Sequence, residues 1–251
     1  MSKAENRDMP AFPKVSPLGV DGLLVSFGDQ LGEAANRAAL AFRAAVEAQG
    51  AEGLEETSTS LTSVYLRFDL ARTDHRQLQS EIAPLLGKRD WFQADLPQGR
   101  RLWRVPAAFD ITVAPQFEEA AALAGLTPAA AVNAICATPL RVQTIGFAPG
   151  QPYLGELPKE WDIPRQKGLT PRVPEGALVV AIRQMVLFSV ETPTGWLHVG
   201  QTALRLFKPD RPDPFLLRPG DEVQFQPVSA EALATIRQRT KDGGAVAEQV
   251  R

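Results

Sequence analysis

The stretch from residue 141 to residue 227 constrains the fold most, because it consists of short apolar segments separated by proline and glycine turns. Proline and glycine interrupt regular structure and set the backbone angles that tight turns need. Many short strands with such turns indicate a β-barrel or a β-sandwich. The segments that we predict as strands here are residues 176–182, 185–190, 196–200, 203–207 and 222–227.

The N-terminal part of the chain has a different pattern. Strands are predicted at residues 21–27, 54–57 and 63–68, and an amphipathic helix at 32–49. A second helix is predicted from the capping residue Asp74 to Leu86. The order β-α-β-β-α predicts a small α+β domain with both helices on one face of an antiparallel sheet. We therefore predict four regions: a flexible tail (1–14), the α+β domain (15–97), a mostly antiparallel β-barrel domain (98–240) and a flexible tail (241–251).

Composition limits the classes of function. The formal net charge of −2, from 27 basic and 29 acidic residues, does not favour binding to nucleic acid or to anionic lipid. No apolar run approaches the roughly 20 residues that span a bilayer. The single cysteine, Cys136, excludes an internal disulfide and fits a reducing compartment. We expect a cytoplasmic protein with no nucleic-acid or membrane partner.

The loop at residues 146–158 is the strongest candidate for a functional segment. It contains three glycines, three prolines and the aromatic residues Phe147 and Tyr153. Its backbone shape is therefore specified, and shaped loops that display side chains often bind ligands. A rigid connection between two strands would have the same composition, and the sequence alone leaves both alternatives open.

Few side chains elsewhere point to chemistry. The sequence lacks the glycine-rich motifs of nucleotide-binding loops and any zinc-like cluster of histidine and cysteine, and no metal site is expected. His198 lies on a predicted strand, where a partly buried histidine bonded to the backbone is favoured over a substrate contact. Cys136 lies on the apolar side of a helix and is interpreted as a small hydrophobic residue.

Two arginines and one glutamine remain near shaped backbone. Arg172 and Arg165 lie beside prolines, which could aim a guanidinium group at a carboxylate or phosphate. The alternative for both is an ion pair on the surface of a loop. Gln184 could bond a ligand amide, or it could be an outward-facing strand residue.

An ordered series of motifs resembles one family across residues 17 to 228, that of the 5-oxoprolinase B subunit, also called allophanate hydrolase subunit 1 or KipI-like carboxyltransferase-domain proteins. The loop at 146–158 opens the series. It continues with Pro164-Arg165, Arg172-Val173-Pro174-x-Gly176, Gly195-Trp196, Gly200-x-Thr202, Leu204-Arg205-Leu206-Phe207 and Leu217-Arg218-Pro219-Gly220-Asp221.

The resemblance implies both a fold and partners. The implied barrel is cyclophilin-like. The implied partner is a KipA-like protein (allophanate hydrolase subunit 2, or the 5-oxoprolinase C subunit) in a hetero-oligomer, with a third, A-type subunit. The implied activity is ATP-dependent opening of 5-oxoproline, in which ATP with Mg acts in the assembled complex. No cofactor site is evident in this chain alone.

We expect the substrate to bind in a groove of the barrel. Within it, backbone N–H groups of the loop would stabilise the developing oxyanion, and Arg172 and Gln184 would hold the carboxylate and amide of the substrate. The residues expected to line this groove are Phe147, Pro149, Gln151, Tyr153, Arg172, Gln184 and His198.

The sequence also departs from the family pattern. Gln151 and Glu156 replace a phenylalanine and a glycine, and the segments 107–116 and 182–189 are rewritten. The usual paired glycines are lost at Ile182 and Arg183. A second hypothesis is therefore a non-catalytic, KipI-like regulatory protein of the kinase-inhibitor type, whose groove binds a protein segment.

Overall fold

The structure, a computed structural model, describes residues 12–250. Its contacts divide the chain into two units, one ending at Pro97 and the next beginning at Gln98. Of the predicted N-terminal tail, residues 1–11 lie outside the described residues. The rest of that tail is not free, because the first strand begins at Lys14.

The first unit is an antiparallel sheet packed against two helices. Its elements are β1 (Lys14–Pro17), β2 (Gly22–Ser26), α1 (Glu33–Gln49), β3 (Leu54–Ser60), β4 (Ser63–Phe68) and α2 (His75–Leu86). The strand order is β1-β2-β4-β3. Alternate side chains of β2 and β4 are buried, and Leu23 pairs with Leu66 in the register. The Asp74 side chain accepts a hydrogen bond from the Gln77 N–H and begins α2 as expected.

The second unit contains most of the remaining strands. These elements are β5 (Arg101–Ala108), α3 (Phe117–Leu123), α4 (Pro128–Cys136), β6 (Leu140–Ile145), β7 (Pro152–Gly155), β8 (Thr170–Val173), β9 (Ala177–Ala181), β10 (Gln184–Leu187), β11 (Thr192–Thr194), β12 (Leu197–Thr202), β13 (Glu222–Pro227), α5 (Ala230–Arg239) and β14 (Val246–Gln249). Short 3-10 helices occupy Trp91–Gln93 and Lys159–Trp161.

Seven of these strands close into a barrel in the order β12-β9-β10-β7-β6-β13-β5, with β5 returning to β12. Only the β13–β5 pairing is parallel. Strand β5 closes the barrel. One of its edges pairs with β13, and Ala107 and Ala108 on its other edge pair with β12. The α+β domain followed by a mostly antiparallel barrel confirms the predicted fold class.

The motif at residues 217–221 is structural. Asp221 is buried and accepts hydrogen bonds from the backbone N–H groups of Arg101 and Arg218. Its Oδ2 also lies 2.6 Å from Arg101 Nη2. A buried carboxylate with this many donors is compensated, so it fixes the start of β13 beside the start of β5.

Two predicted segments differ from the structure. The predicted strand at 203–207 is irregular, because the chain leaves the barrel after Thr202. The predicted flexible tail at 241–251 contains β14, whose Val246 and Gln249 pair with Arg104 and Arg101 of β5. The residues of β14 are exposed, so no apolar alternation marks it as a strand.

Among the described residues, no single helix is long and apolar enough to cross a membrane. Helices α3 and α4, which are bent relative to each other, are long and apolar enough only when they are taken together, and by length and composition alone. Both helices contribute buried side chains, among them Phe117 and Ile135, to the core of the second unit.

Candidate functional site

The loop between β6 and β7 is folded onto itself. The Gly146 N–H donates to Gln151 O at 3.0 Å, and the Gln151 N–H donates to Ala148 O at 3.1 Å. Phe147 has a φ of 72°, in the left-handed region that non-glycine residues rarely occupy. Its side chain is 77% exposed. These two N–H groups are used within the loop, so neither of them is a free donor for an oxyanion.

A cavity of about 380 Å³ lies beside this loop in the second unit. That volume is in the range of small-molecule sites. The residues that line it are Phe147, Gln151, Tyr153, Arg165, Gln166, Leu169, Val186, Phe188, Pro193, Thr194, Gly195 and Trp196. We call it the aromatic cavity, because four of these residues carry aromatic rings.

The aromatic rings form a wall with defined geometry. Tyr153 and Trp196 meet edge to face, with ring centroids 6.3 Å apart. Phe188 and Trp196 are buried, whereas Phe147 stands in solvent at the rim. Such a wall offers flat apolar surface to a small ring without excluding polar groups at its mouth.

Arg165 is the one charged side chain among the described residues that line the cavity. Its guanidinium carbon lies 5.3 Å above the centre of the Trp196 ring. Within residues 12–250, no carboxylate lies within ion-pairing distance of Arg165. Burial raises the pKa of the Tyr153 phenol, and the positive charge of Arg165 opposes that rise. The cavity therefore presents an uncompensated cation to a carboxylate.

Gln151 supplies a hydrogen-bond donor in the same cavity. Its side chain is buried, and its Oε1 accepts a long hydrogen bond of 3.4 Å from the Ser189 N–H. Its Nε2 has no hydrogen-bond acceptor in the described part of the chain. Since Oε1 faces Ser189, the amide N–H group is available to a carbonyl oxygen in the cavity.

Two glutamines hold Trp196 in place. Gln166 Nε2 donates to Trp196 O at 2.8 Å, and Gln116 Nε2 donates to Gln166 Oε1 at 2.7 Å. Gln116 Oε1 in turn accepts from the His198 N–H at 2.9 Å. The Trp196 N–H donates to Thr194 Oγ1 at 3.1 Å. This glutamine relay, Gln116 with Gln166, ties the aromatic wall to β12.

The structure brings three of the seven expected groove residues together. Phe147, Gln151 and Tyr153 line the aromatic cavity. Pro149 is in the same loop and is exposed, but it does not line the cavity.

Arg172, Gln184 and His198 do not line the cavity. Arg172 forms a two-point pair with the exposed Glu191, with nitrogen–oxygen distances of 2.9 and 3.0 Å. Its fork is therefore occupied, as in the surface ion-pair alternative. Gln184 is buried, and its Nε2 donates to Gln143 Oε1 at 3.1 Å. It is therefore neither in the aromatic cavity nor exposed to solvent.

His198 is a structural histidine. Its ring Nε2 lies 3.0 Å from Gly200 O, and its side chain is buried. Burial lowers the pKa of His198 below its usual 6.5, so the neutral imidazole is favoured and donates from Nε2. This arrangement matches the favoured sequence interpretation of a histidine bonded to the backbone.

Sequence reasoning did not include Arg165, Gln166, Phe188 and Trp196 in the groove. A signal existed for Arg165 and Trp196, because both belong to the motifs of the resemblance. Nothing in the sequence marks Gln166 or Phe188, since their role depends on how β10 and the segment before β8 meet. Across residues 12–250, no group of three or more His, Cys, Asp or Glu side chains is arranged to hold a metal ion.

Comparison with known proteins gives concordant results. A family model described as "Carboxyltransferase domain, subdomain C and D" matches residues 13–217. The chain is 30% identical over 223 residues to the 5-oxoprolinase B subunit of Bacillus subtilis (strain 168), and the match covers 86% of this chain and 93% of that protein.

Solved structures share the fold. The crystal structure of TTHA0988 matches with a TM-score of 0.70 and 32% identity, over 84% of this chain and 40% of that one. The present chain therefore spans less than half of TTHA0988. Urea carboxylase of Kluyveromyces lactis matches with a TM-score of 0.72 over 92% of this chain and 23% of that one. At 18% identity, this last likeness concerns the fold alone.

Proposed function

The chain belongs to the carboxyltransferase domain family, subdomain C and D, and on that premise we propose that it is one component of a 5-oxoprolinase-type complex. In this proposal the complex opens 5-oxoproline with ATP and also contains a KipA-like subunit and a third, A-type subunit. Support comes from the Bacillus subtilis relative, which is named as the B subunit of 5-oxoprolinase. The single cysteine fits a reducing, cytoplasmic location for the complex.

The observation that carries the proposal is the uncompensated Arg165 in the aromatic cavity. 5-Oxoproline is a small five-membered lactam with one carboxylate. A guanidinium fork binds a carboxylate through two parallel hydrogen bonds, and each bond to a charged group contributes about 1.5–3 kcal/mol. The ring of the lactam would pack against Tyr153 and Trp196, whose flat surfaces suit it.

Gln151 gives the same cavity a role in the chemistry. The lactam carbonyl is a poor electrophile, and a donor aimed at its oxygen stabilises negative charge as that charge develops. Gln151 Nε2 is a free donor in the cavity that Arg165 also lines. We assign it to the carbonyl oxygen, with Arg165 on the carboxylate. ATP, bound by the assembled complex, would supply the free energy for opening the ring.

A second candidate is a regulatory protein whose cavity holds a protein segment. The exposed side chains at the rim favour it, because Phe147 is 77% and Leu169 is 69% exposed. Large apolar side chains in solvent are typical of surfaces that bind a partner. In that case Arg165 would bind an acidic side chain of the partner segment.

Co-purification with the KipA-like and A-type subunits, followed by an assay of ATP-dependent glutamate release from 5-oxoproline, separates the two candidates. The enzyme proposal predicts turnover that falls in Arg165→Ala and is unchanged in Arg172→Ala. Arg172 is the matched control, because it is an arginine of the same unit that lies outside the cavity. A stable complex with no turnover would favour the regulatory candidate.

A further inference from the structure

A second cavity lies where the C-terminal helix packs beside the end of β12, and no step of the proposed chemistry uses it. Its volume is about 500 Å³. The residues that line it are Thr112, Val113, Pro174, Glu175, Gln201, Thr202, Ala203, Leu204, Arg205, Arg237, Thr240 and Lys241. We call it the basic cavity.

Three cationic side chains and one carboxylate line the basic cavity. The carboxylate is that of Glu175. Arg205 lies 3.6 Å from Glu175. The Arg205 side chain is largely exposed and that of Glu175 partly exposed, so their attraction is weak. Arg237 uses one nitrogen, Nη2, to donate to Thr202 O at 3.1 Å. In the part of the chain that the structure describes, no carboxylate lies within 4.0 Å of Arg237 or Lys241. The cavity therefore carries an excess of positive charge with free donors.

The segment that carries Lys241 is held in place by its backbone. Gly243 has a φ of 59°, and a Cβ there would come within 2.4 Å of the Ala203 carbonyl group. Only glycine permits so close an approach, so the segment after α5 is fixed against the chain that leaves β12. Asp242 pairs with Lys208 and lies 3.2 Å from Arg211. Lys241 is therefore positioned between α5 and an anchored turn.

Two of the four charged residues that line the basic cavity lie outside the segment that the family model matches. The family model ends at residue 217, and Arg237 and Lys241 follow it. The basic cavity thus combines barrel residues with a C-terminal segment that the family match does not include. The inference about this cavity therefore rests on the cavity's own residues and not on the family match.

We propose that the basic cavity binds a small molecule that carries phosphate groups. A phosphate ester carries about −1.5 to −2 charges at pH 7 and three acceptor oxygens, which matches clustered cations better than one carboxylate does. Only Nη2 of the Arg237 guanidinium is used by Thr202 O, so the other N–H groups of this planar group can donate to a phosphate. Lys241 adds a compact positive charge. The cavity volume leaves room for the rest of a metabolite beyond its phosphate groups.

Calorimetric titration of the full chain with inorganic pyrophosphate tests this inference. The double variant Arg237→Gln/Lys241→Gln should bind at least about tenfold more weakly, because each lost charged hydrogen bond contributes on the order of a factor of ten. Arg239→Gln, on the same helix but outside the cavity, should change affinity by less than about twofold. Lys241→Gln alone removes no hydrogen bond of the fold and should still weaken binding several-fold.

Three results would overturn the proposal. One is a Kd for pyrophosphate weaker than about 10 mM at moderate salt. Another is an equal loss of affinity in Arg239→Gln, which would indicate non-specific attraction to the surface. The last is citrate binding as tightly as pyrophosphate, which would assign the cavity to polycarboxylates. Turnover of 5-oxoproline is not the readout, so failure here leaves the proposed function untouched.

Discussion

The glutamine relay allows a quantitative test of how the aromatic cavity is held together. Replacing Gln166 with leucine keeps a side chain of similar size but removes its hydrogen bonds to Trp196 O (2.8 Å), to Gln116 (2.7 Å) and to Thr170 Oγ1 (3.3 Å). Each hydrogen bond contributes about 1 kcal/mol net. Both glutamines are only half-buried, so water can partly replace the lost partners. We expect a loss of about 2 kcal/mol in the stability of the second unit.

The corresponding variant Gln116→Leu removes the bonds to Gln166 and to the His198 N–H. The shared Gln116–Gln166 bond is lost in either single variant, so the double variant should cost less than the sum of the two. A double-mutant cycle should give a coupling of about 1 kcal/mol.

Urea denaturation followed by fluorescence is a suitable assay, because Trp103, Trp161 and Trp196 belong to the second unit and only Trp91 to the first. Emission from Trp196 should shift to the red in both single variants as the wall loosens. Purely additive free energies, with unchanged Trp196 emission, would refute the claim that the relay positions this residue.

Three further results are expected. Arg165→Ala should weaken 5-oxoproline binding by about tenfold or more while Arg172→Ala leaves it unchanged, and equal effects in both would remove Arg165 from the site. Because burial lowers the pKa of His198, the folded state binds this proton less readily than the unfolded state. Stability should therefore be full above the usual pKa of 6.5 and fall as the pH drops below it, and His198→Gln should flatten that fall in urea titrations. Burial raises the pKa of the Cys136 thiol to about 11. Its alkylation by iodoacetamide near neutral pH should therefore be about a hundredfold slower than that of free cysteine, and an ordinary rate would contradict the packing.

The fold was predictable because its signals are local. The cap at Asp74 and the alternation of Val64, Leu66 and Phe68 depend on neighbouring residues, and both appear as expected. β14 could not be predicted, since its exposed residues form a strand only because β5 offers a free edge. The irregular 203–207 segment has strand-like composition, but its residues follow the point where the barrel closes.

The site was predictable only in part, because some residues of the motifs stabilise the barrel and others line the cavity. Thr202, in one motif, donates to Gly176 O at 3.0 Å and serves the barrel. Arg165 and Arg172 look alike in sequence, each beside prolines. Their roles differ because Glu191 of the neighbouring strand segment reaches only Arg172. Which arginine remains unpaired is decided by strand register, and composition does not reveal it.

The most direct test of the proposed site is a crystal structure of the co-purified complex with 5-oxoproline. We predict that the carboxylate of 5-oxoproline lies on the Arg165 guanidinium and that the lactam oxygen lies about 3 Å from Gln151 Nε2. A structure in which 5-oxoproline binds elsewhere, while a segment of the partner protein fills the aromatic cavity, would contradict the account.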